Sequence, residues 1–257
     1  MTDITAIVLT RNEEENIVDC LESLLFCNEI IVVDDNSTDR TLDLVERLSQ
    51  DHKKIKILKR DLDLDFSAQR RFGIEHSKND WILFIDADER VSTDLRAEIE
   101  DNVSLDSKFA GFLIPRTDFM WGKKMAHGET GNIKLLRLFN KKEGSLVGKV
   151  HETWETKKEV GRFMNPILHY PHPTISEFLR EINFYTDLRA QELFKQKKKV
   201  SWYSIILYPK GKFLVIFFLK LGFLDGTAGL VHAILMSFHS FLVRGKLWLL
   251  WQKNHTS

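Results

Sequence analysis

For its first hundred residues the chain alternates short apolar runs with amphipathic stretches. Ile4–Thr10 (ITAIVLT), Glu29–Val33 (EIIVV), Ile55–Leu58 and Trp81–Ile85 (WILFI) are brief, continuous and rich in β-branched residues, the pattern of strands buried on both faces of a mostly parallel sheet. Between the first two, Ile17, Leu21, Leu24 and Leu25 recur at helical spacing and predict a helix with one buried face. Asn12 is placed to cap it, and Glu13, Glu14 and Glu15 favour its first turn through the helix dipole. Leu42, Val45 and Leu48 predict a second helix capped by Ser37 or Thr38, Ser67 opens a third that runs to about His76, and Leu95 and Ile99 mark one after Ser92. Strand-helix alternation requires right-handed crossovers, so the expected class is α/β, a parallel sheet flanked by helices.

The pattern then changes. Gly111–Pro115 and Lys134–Phe139 read as strands, and Val150–Trp154 follows a Gly-rich turn. Arg116–Gly131, with Met120, Trp121, Gly122 and His127, reads as a long irregular loop, which in a compact domain is usually functional. Thr174–Gln196 is amphipathic through Phe178, Ile182, Tyr185, Leu188 and Leu193. After it come the apolar segments Trp202–Leu207, Phe213–Leu224 and Leu230–Val243, separated by Pro209, Gly211, Gly222, Gly226 and Gly229. None has the roughly 18 unbroken apolar residues of a spanning helix. The expectation is helices lying in a bilayer interface with Trp202, Trp248 and Trp251 at headgroup depth; the alternative is a buried hairpin packed on the catalytic domain or, as a homodimer, on a second copy. The expected division is a catalytic domain over 1–173, with halves 1–115 and 116–173, and a helical extension over 174–257.

Composition narrows the picture. The chain has 257 residues, 43% hydrophobic and 29% charged, enough for one α/β domain plus an appendage. Lys and Arg balance Asp and Glu at 37 each, so nothing points to a nucleic-acid partner. From Lys195 onward, however, ten Lys or Arg face the single acid Asp225, and the C-terminal quarter is basic as well as apolar. Its lysines are placed to reach lipid phosphates. Cys20 and Cys27 are the only cysteines; a disulfide framework is not expected and a reducing compartment fits. Met1 leads straight into a strand without a basic leader, so no signal peptide is expected.

Chemistry gathers where apolar runs end in carboxylates. Asp34-Asp35 closes the second strand and Asp86-Ala87-Asp88 the fourth, both at C-terminal strand ends, where open α/β sheets bind ligands. In an extended chain Asp86 and Asp88 point to one side and together suit a hard divalent cation, Mg²⁺ or Mn²⁺, completed by phosphate oxygens and water. The turn after the first strand, Thr10-Arg11-Asn12-Glu13, has no glycine, which excludes a dinucleotide fingerprint. A phosphatase using DxD is an alternative, but it wants a hydroxyl residue two places after the second Asp, where Arg90 stands, and it leaves Asp34-Asp35 without a role. An inert membrane-bound adaptor of the same fold is the other alternative.

The segments LTRNEEENI, EIIVVDDNSTDRT and AQRRFGIEHSKNDWILFIDADE resemble the N-terminal half of family 2 glycosyltransferases, inverting enzymes of GT-A fold. More narrowly they are similar to bacterial lipopolysaccharide core β-1,4-glucosyltransferases, and the likeness continues through KLLRLFNKKEG, VHETWE and GFLDGTAGL. The resemblance implies that Asp34 or Asp35 accepts hydrogen bonds from the base of a nucleotide-sugar with Thr10, Arg11 and Asn12 nearby. It implies that Asp88 holds the metal under the diphosphate, that Asp86 lies by the ribose or the metal, and that Gln69 and Arg70, with Arg71, lie near diphosphate or donor sugar unless the arginines form surface ion pairs. It further implies a sugar donor such as UDP-glucose, a glycan or lipid-linked acceptor, and a cytoplasmic enzyme peripheral on the inner membrane. An inverting transfer also needs a base for the acceptor hydroxyl: Glu152 is the candidate, with Glu129 and Asp118 behind it. His151 can be a metal ligand or a hydrogen-bonded structural group; His169 and His172, set among prolines in LHYPHPT, read as structural. Glu89 reads as a helix-capping or supporting acid.

Overall fold

The computed structural model describes residues 3–61, 66–104, 107–131, 133–147, 153–171 and 174–255. They form two compact units: Met1–Arg116 with Ile133–His169, and Thr117–Asn132 with Tyr170–Ser257.

The first unit is built on β1 (Ile4–Thr10), which lies between β2 (Glu29–Asp34) and β4 (Trp81–Asp86), with β3 (Ile55–Lys59) outside β2, all parallel. Ala6, Ile7, Val8, Ile30, Val33, Ile82 and Leu83 are wholly buried, so the sheet is covered on both faces, as the unbroken apolar runs require. α1 (Ile17–Ser23), α2 (Thr41–Asp51) and α4 (Thr93–Asn102) bring Leu21, Val45 and Leu95 to one core, while α3 (Phe66–Glu75) brings Phe72 and Ile74 to the other. α3 lies so close to β1 that a Cβ on Gly73 would stand 2.6 Å from Ile7 Cγ2; only glycine fits that approach. The expected α/β class, a mostly parallel sheet with flanking helices, is what forms.

Past β4 the sheet turns antiparallel. β8 (Lys134–Asn140) pairs with β4 through Ile82 and Phe139, and β6 (Phe109–Met120) pairs with β8 through Phe112 and Leu138. β5 (Glu89–Val91) follows β4 after a two-residue turn and pairs antiparallel with β12 (Ile167–His169). β9 (Gly144–Val147) and β10 (Thr153–Thr156) form a separate ribbon, and β11 (Glu159–Arg162) runs parallel to β6.

Helix starts differ from expectation at two places for one reason. Asn12 does not cap α1; it adopts φ 55°, and its Oδ1 accepts from the Thr38 N–H at 2.7 Å. Ser37 and Thr38 do not cap α2, which starts at Thr41, where Asp39 accepts from the Thr41 backbone at 3.0 Å and hydroxyl at 2.6 Å. The loops after β1 and β2 spend these polar groups on each other, a long-range competition with capping. α4 begins after Ser92 as expected, and Ser92 Oγ caps it by accepting from Leu95 N–H.

Arg116–Gly131, of which all but Arg116 belongs to the second unit, is not the irregular loop its composition suggests. β6 runs on to Met120 and β7 (Lys123–Met125) pairs back on it, Asp118 opposite Met125. Trp121 and Gly122, at φ 52° and 74°, make the two-residue connection that hairpins favour; a tryptophan in that conformation gives no turn signal in sequence. α5 (Ile175–Lys195) starts with the capping box Thr174–Glu177. α6 (Trp202–Leu214) continues through Pro209 into a π-helical turn, Val215–Leu219, and a 3₁₀ turn, Gly222–Asp225, leads into α7 (Gly226–His255). Trp202–Leu219 and Gly222–Lys253, 18 and 32 residues, are each long and apolar enough to cross a membrane by length and composition. Proline and glycine therefore do not divide these segments as the sequence suggested; Ser237 Oγ of α7 donates to the Pro209 carbonyl at 2.7 Å, tying the two helices together at the proline.

At the base of β2, buried Glu29 accepts from the Thr5 hydroxyl at 2.8 Å and the Lys78 backbone N–H at 2.8 Å, and Lys56 reaches its other oxygen at 2.5 Å. Burial alone would raise its pKa, but the Lys56, Lys78 and Thr5 contacts outweigh it and leave the carboxyl below its ordinary value. A depressed carboxyl stabilises the fold above the unfolded-state pKa and loses that stabilisation as pH falls through the folded value. Glu29→Gln is therefore expected to lower urea-unfolding stability by about 1–3 kcal/mol at neutral pH. The gap from wild type should narrow as the pH falls below about 4.3.

Candidate active site

The parallel register fixes where the carboxylates stand. Thr10 lies beside Asp34 across β1 and β2, and Leu9 beside Asp86 across β1 and β4. Asp34 and Asp86 thus end the two strands that flank β1, on one rim, with Thr10 between them.

On the β2 side, Asp34 is fully buried, and its two oxygens accept from the Ser37 N–H at 3.0 Å and the Ser37 hydroxyl at 2.5 Å. Asp35 accepts from Arg11 Nη1 at 2.7 Å, its side chain 8% exposed against 63% for the arginine. Among the described residues the buried Thr10 hydroxyl has no hydrogen-bond partner. Gln69 is buried and its Nε2 donates to the Arg60 carbonyl at 2.8 Å, while Arg60 N–H donates to the Asp34 carbonyl at 3.0 Å. Gln69 thus braces the Asp34 loop. Asn12 joins the same rim through its own N–H, which donates to Ser37 Oγ at 2.9 Å.

On the β4 side, the expected extended Asp86-Ala87-Asp88 does not form: the strand ends at Asp86, and Ala87 and Asp88 make the turn into β5. The two carboxylates consequently meet different partners. Asp86 accepts from Arg137 Nη2 at 2.6 Å and lies 3.5 Å from Arg70 Nη2. The same Arg137 nitrogen donates to Glu89 Oε1 at 2.8 Å, and the Asp86 N–H donates to Glu89 Oε2 at 3.0 Å. Burial would raise the Asp86 pKa, but the Arg137 and Arg70 charges hold it far below the usual carboxylate range. Glu89, wholly buried, is pushed the other way, first by burial and then by the Asp86 and Asp88 charges, against the pull of Arg137. Asp88 instead faces His169, with Nε2 and Oδ2 3.1 Å apart and the side chains 13% and 24% exposed. The β5–β12 pairing sets His169 opposite Glu89 and delivers the imidazole.

His151 and Glu152 lie outside the described residues, as does His172. Of the other base candidates, Asp118 is buried on β6 in the second unit, and Glu129, in the same unit, pairs with Lys212. Arg137 has no place among the sequence candidates, and His169 reads there as structural. Arg137 looks like an ordinary strand cation in KLLRLF, and the prolines around His169 suggested only a turn. Cys20 and Cys27 are free, and burial raises both thiols.

The matching family model spans residues 5–151 and is described as glycosyl transferase family 2. The chain belongs to that family. It is 27% identical to the lipopolysaccharide core biosynthesis glycosyltransferase LpsC of Rhizobium meliloti (strain 1021), over 95% of this chain and 92% of that protein. It is 30% identical to an uncharacterized glycosyltransferase of Rickettsia typhi (strain ATCC VR-144 / Wilmington), over 96% and 87% of the two chains. Among solved structures, S. aureus TarS 1-349 in complex with UDP-GlcNAc aligns at TM-score 0.48 and 13% identity, covering 98% of this chain and 92% of that one. Family membership leaves the phosphatase alternative without support.

The Asp88 and His169 donors suit a divalent cation, since hard oxygen and imidazole ligands are both taken by Mn²⁺ and Mg²⁺ accepts the carboxylate. Among the described residues no cluster of three His, Cys, Asp or Glu side chains is arranged to hold a metal.

Because Arg137 is 6% exposed, removing it takes the cation from buried Glu89 and leaves Asp86 to Arg70. Arg137→Met is expected to cost about 3 kcal/mol in urea unfolding, and adding Glu89→Gln should recover part of that loss, since the two groups share one contact.

Proposed function

We propose that the protein is a metal-dependent inverting glycosyltransferase that moves a sugar, glucose from UDP-glucose as the best reading, onto a lipid-linked or lipopolysaccharide-core saccharide at the cytoplasmic face of the inner membrane. The observation that carries this is the Asp88–His169 pair, two ligand-type donors left outside the Asp86–Arg137–Glu89 cluster at the strand ends of a family 2 chain. The acceptor class follows that of LpsC, a lipopolysaccharide core biosynthesis glycosyltransferase.

In this reading the nucleoside lies on the β1–β2 side, where the Thr10 hydroxyl lacks a partner among the described residues and Asp35 with Arg11 offers an acceptor and a donor. Asp88 and His169 hold Mn²⁺ or Mg²⁺, which supplies neutralisation of the negative charge on the departing nucleoside diphosphate. Arg70, beside Asp86, is within the same charged group and faces diphosphate or donor sugar. Glu152 takes the proton of the acceptor hydroxyl as that oxygen bonds to the anomeric carbon and the bond to the diphosphate oxygen breaks, inverting the centre. The exposed apolar side chains of α6 and its extension, Trp202 at 75% and Leu219 at 77%, with the Lys197–Lys199 run behind them, suit a membrane surface.

Calorimetric titration with UDP is expected to show binding that requires Mn²⁺, weakened on the order of tenfold or more in both Asp88→Ala and His169→Ala. Equal affinity without metal, or in Asp88→Ala, would overturn the site assignment. Glu152→Gln should keep Mn²⁺-dependent UDP binding while transfer falls by about 10²–10⁴-fold.

A further inference from the structure

The second unit holds a cleft of about 650 Å³ between α5, α6 and α7, walled by Arg189, Lys212, His239 and Arg244 and by the apolar Leu207 and Val243. No acidic residue lines it. Two of its cations have local carboxylates: Arg189 pairs with Glu192 and Lys212 with Glu129. Arg244 does not. Its guanidinium lies 3.8 Å from the Tyr208 ring centroid, and Nη1 donates to the Ser240 carbonyl at 3.0 Å and hydroxyl at 2.8 Å. These contacts aim the group and leave other N–H donors of its five unspent.

Two features bear on the occupant. A hydrocarbon alone would not suit walls carrying this many cations, and a small soluble anion would not use Leu193, Leu207 and Val243. Room is present as well: a Cβ built on Gly211, which lines the cleft from α6, meets nothing within 4 Å. Leu207 and Tyr208, on the same wall, are each 58% exposed, so the cleft borders the apolar face already assigned to a membrane.

We propose that this cleft binds the phosphate group of a lipid, with Arg244 as its principal ligand and the apolar walls taking the first part of the chain. Guanidinium and phosphate match in charge and in paired-donor geometry, and basic clefts between membrane-proximal helices suit anionic headgroups. The proposal deepens the membrane-facing part of the proposed function and rests on it only in that a lipid must reach α6 and α7; the nucleotide site is not involved.

The test is titration of the full-length protein with a soluble short-chain phosphatidate, against short-chain phosphatidylcholine and inorganic phosphate, followed by calorimetry. Saturable one-to-one phosphatidate binding is expected, with both comparison ligands and Arg244→Gln weaker by about tenfold or more. Gly211→Leu is the second variant: it raises helix propensity, meets open space and fills the cleft, so it should stay folded, as circular dichroism will show, and lose the lipid. Unchanged phosphatidate affinity in either folded variant overturns the proposal. So does phosphatidylcholine binding as tightly, which would mean a merely apolar surface, or inorganic phosphate doing so, which would mean a soluble-anion site. Mn²⁺-dependent UDP binding, measured separately on wild type, reports the transferase reading alone: its absence beside intact phosphatidate binding refutes that reading and spares this one.

Discussion

One guanidinium, Arg137, stands between two carboxylates at the end of β4, and the arrangement of the site follows from it. A buried arginine cannot give up its proton, so it must be matched by negative charge, and Asp86 and Glu89 both supply that at 2.6 and 2.8 Å. Asp86 is thereby fixed as a carboxylate, while Glu89, deeper and crowded by like charge, is raised. The Asp86 N–H closes the ring by donating to Glu89. This cluster holds the chain at the point where β4 stops and the turn to β5 begins, and so decides which of the two aspartates has its oxygens left for another partner.

That partner is His169, and its arrival depends on sheet pairing. β12 joins β5 antiparallel, bringing to Asp88 a residue 81 positions later in the chain. The β2 side is organised in the same manner: Asp34 is turned inward to Ser37, and the loops after β1 and β2 exchange hydrogen bonds through Asn12, Ser37 and Thr38. The rim is thus a set of side chains that satisfy one another across strands, Asp88 and His169 included, while among the described residues the buried Thr10 hydroxyl has no partner.

The second unit follows a different rule. Its helices expose large apolar side chains such as Trp202, Leu214, Phe218 and Leu219, while a few polar groups pair inside it: buried Asp225 accepts from the His127 backbone and contacts its ring at 2.9 Å, and Glu129 pairs with Lys212. Arg244, aimed by Tyr208 and Ser240 rather than by a carboxylate, is the inward cation that this pairing leaves over.

The sequence by itself determined the strands, because unbroken β-branched runs such as EIIVV and WILFI have one way to be buried, and it determined that Asp34 and Asp86 share a rim, because parallel strands put all their C-terminal ends on one edge. It determined the family through the order of those motifs. Tertiary structure alone decided what each carboxylate does. A local pattern cannot show that Arg137 reaches across from β8, that Ala87-Asp88 turns instead of extending, or that His169 closes on Asp88, since each depends on pairing between segments some 50 to 80 residues apart. It also decided that Trp121-Gly122 ends a hairpin and that the helix runs on through Pro209, where the backbone geometry is set by neighbours that the local sequence does not name.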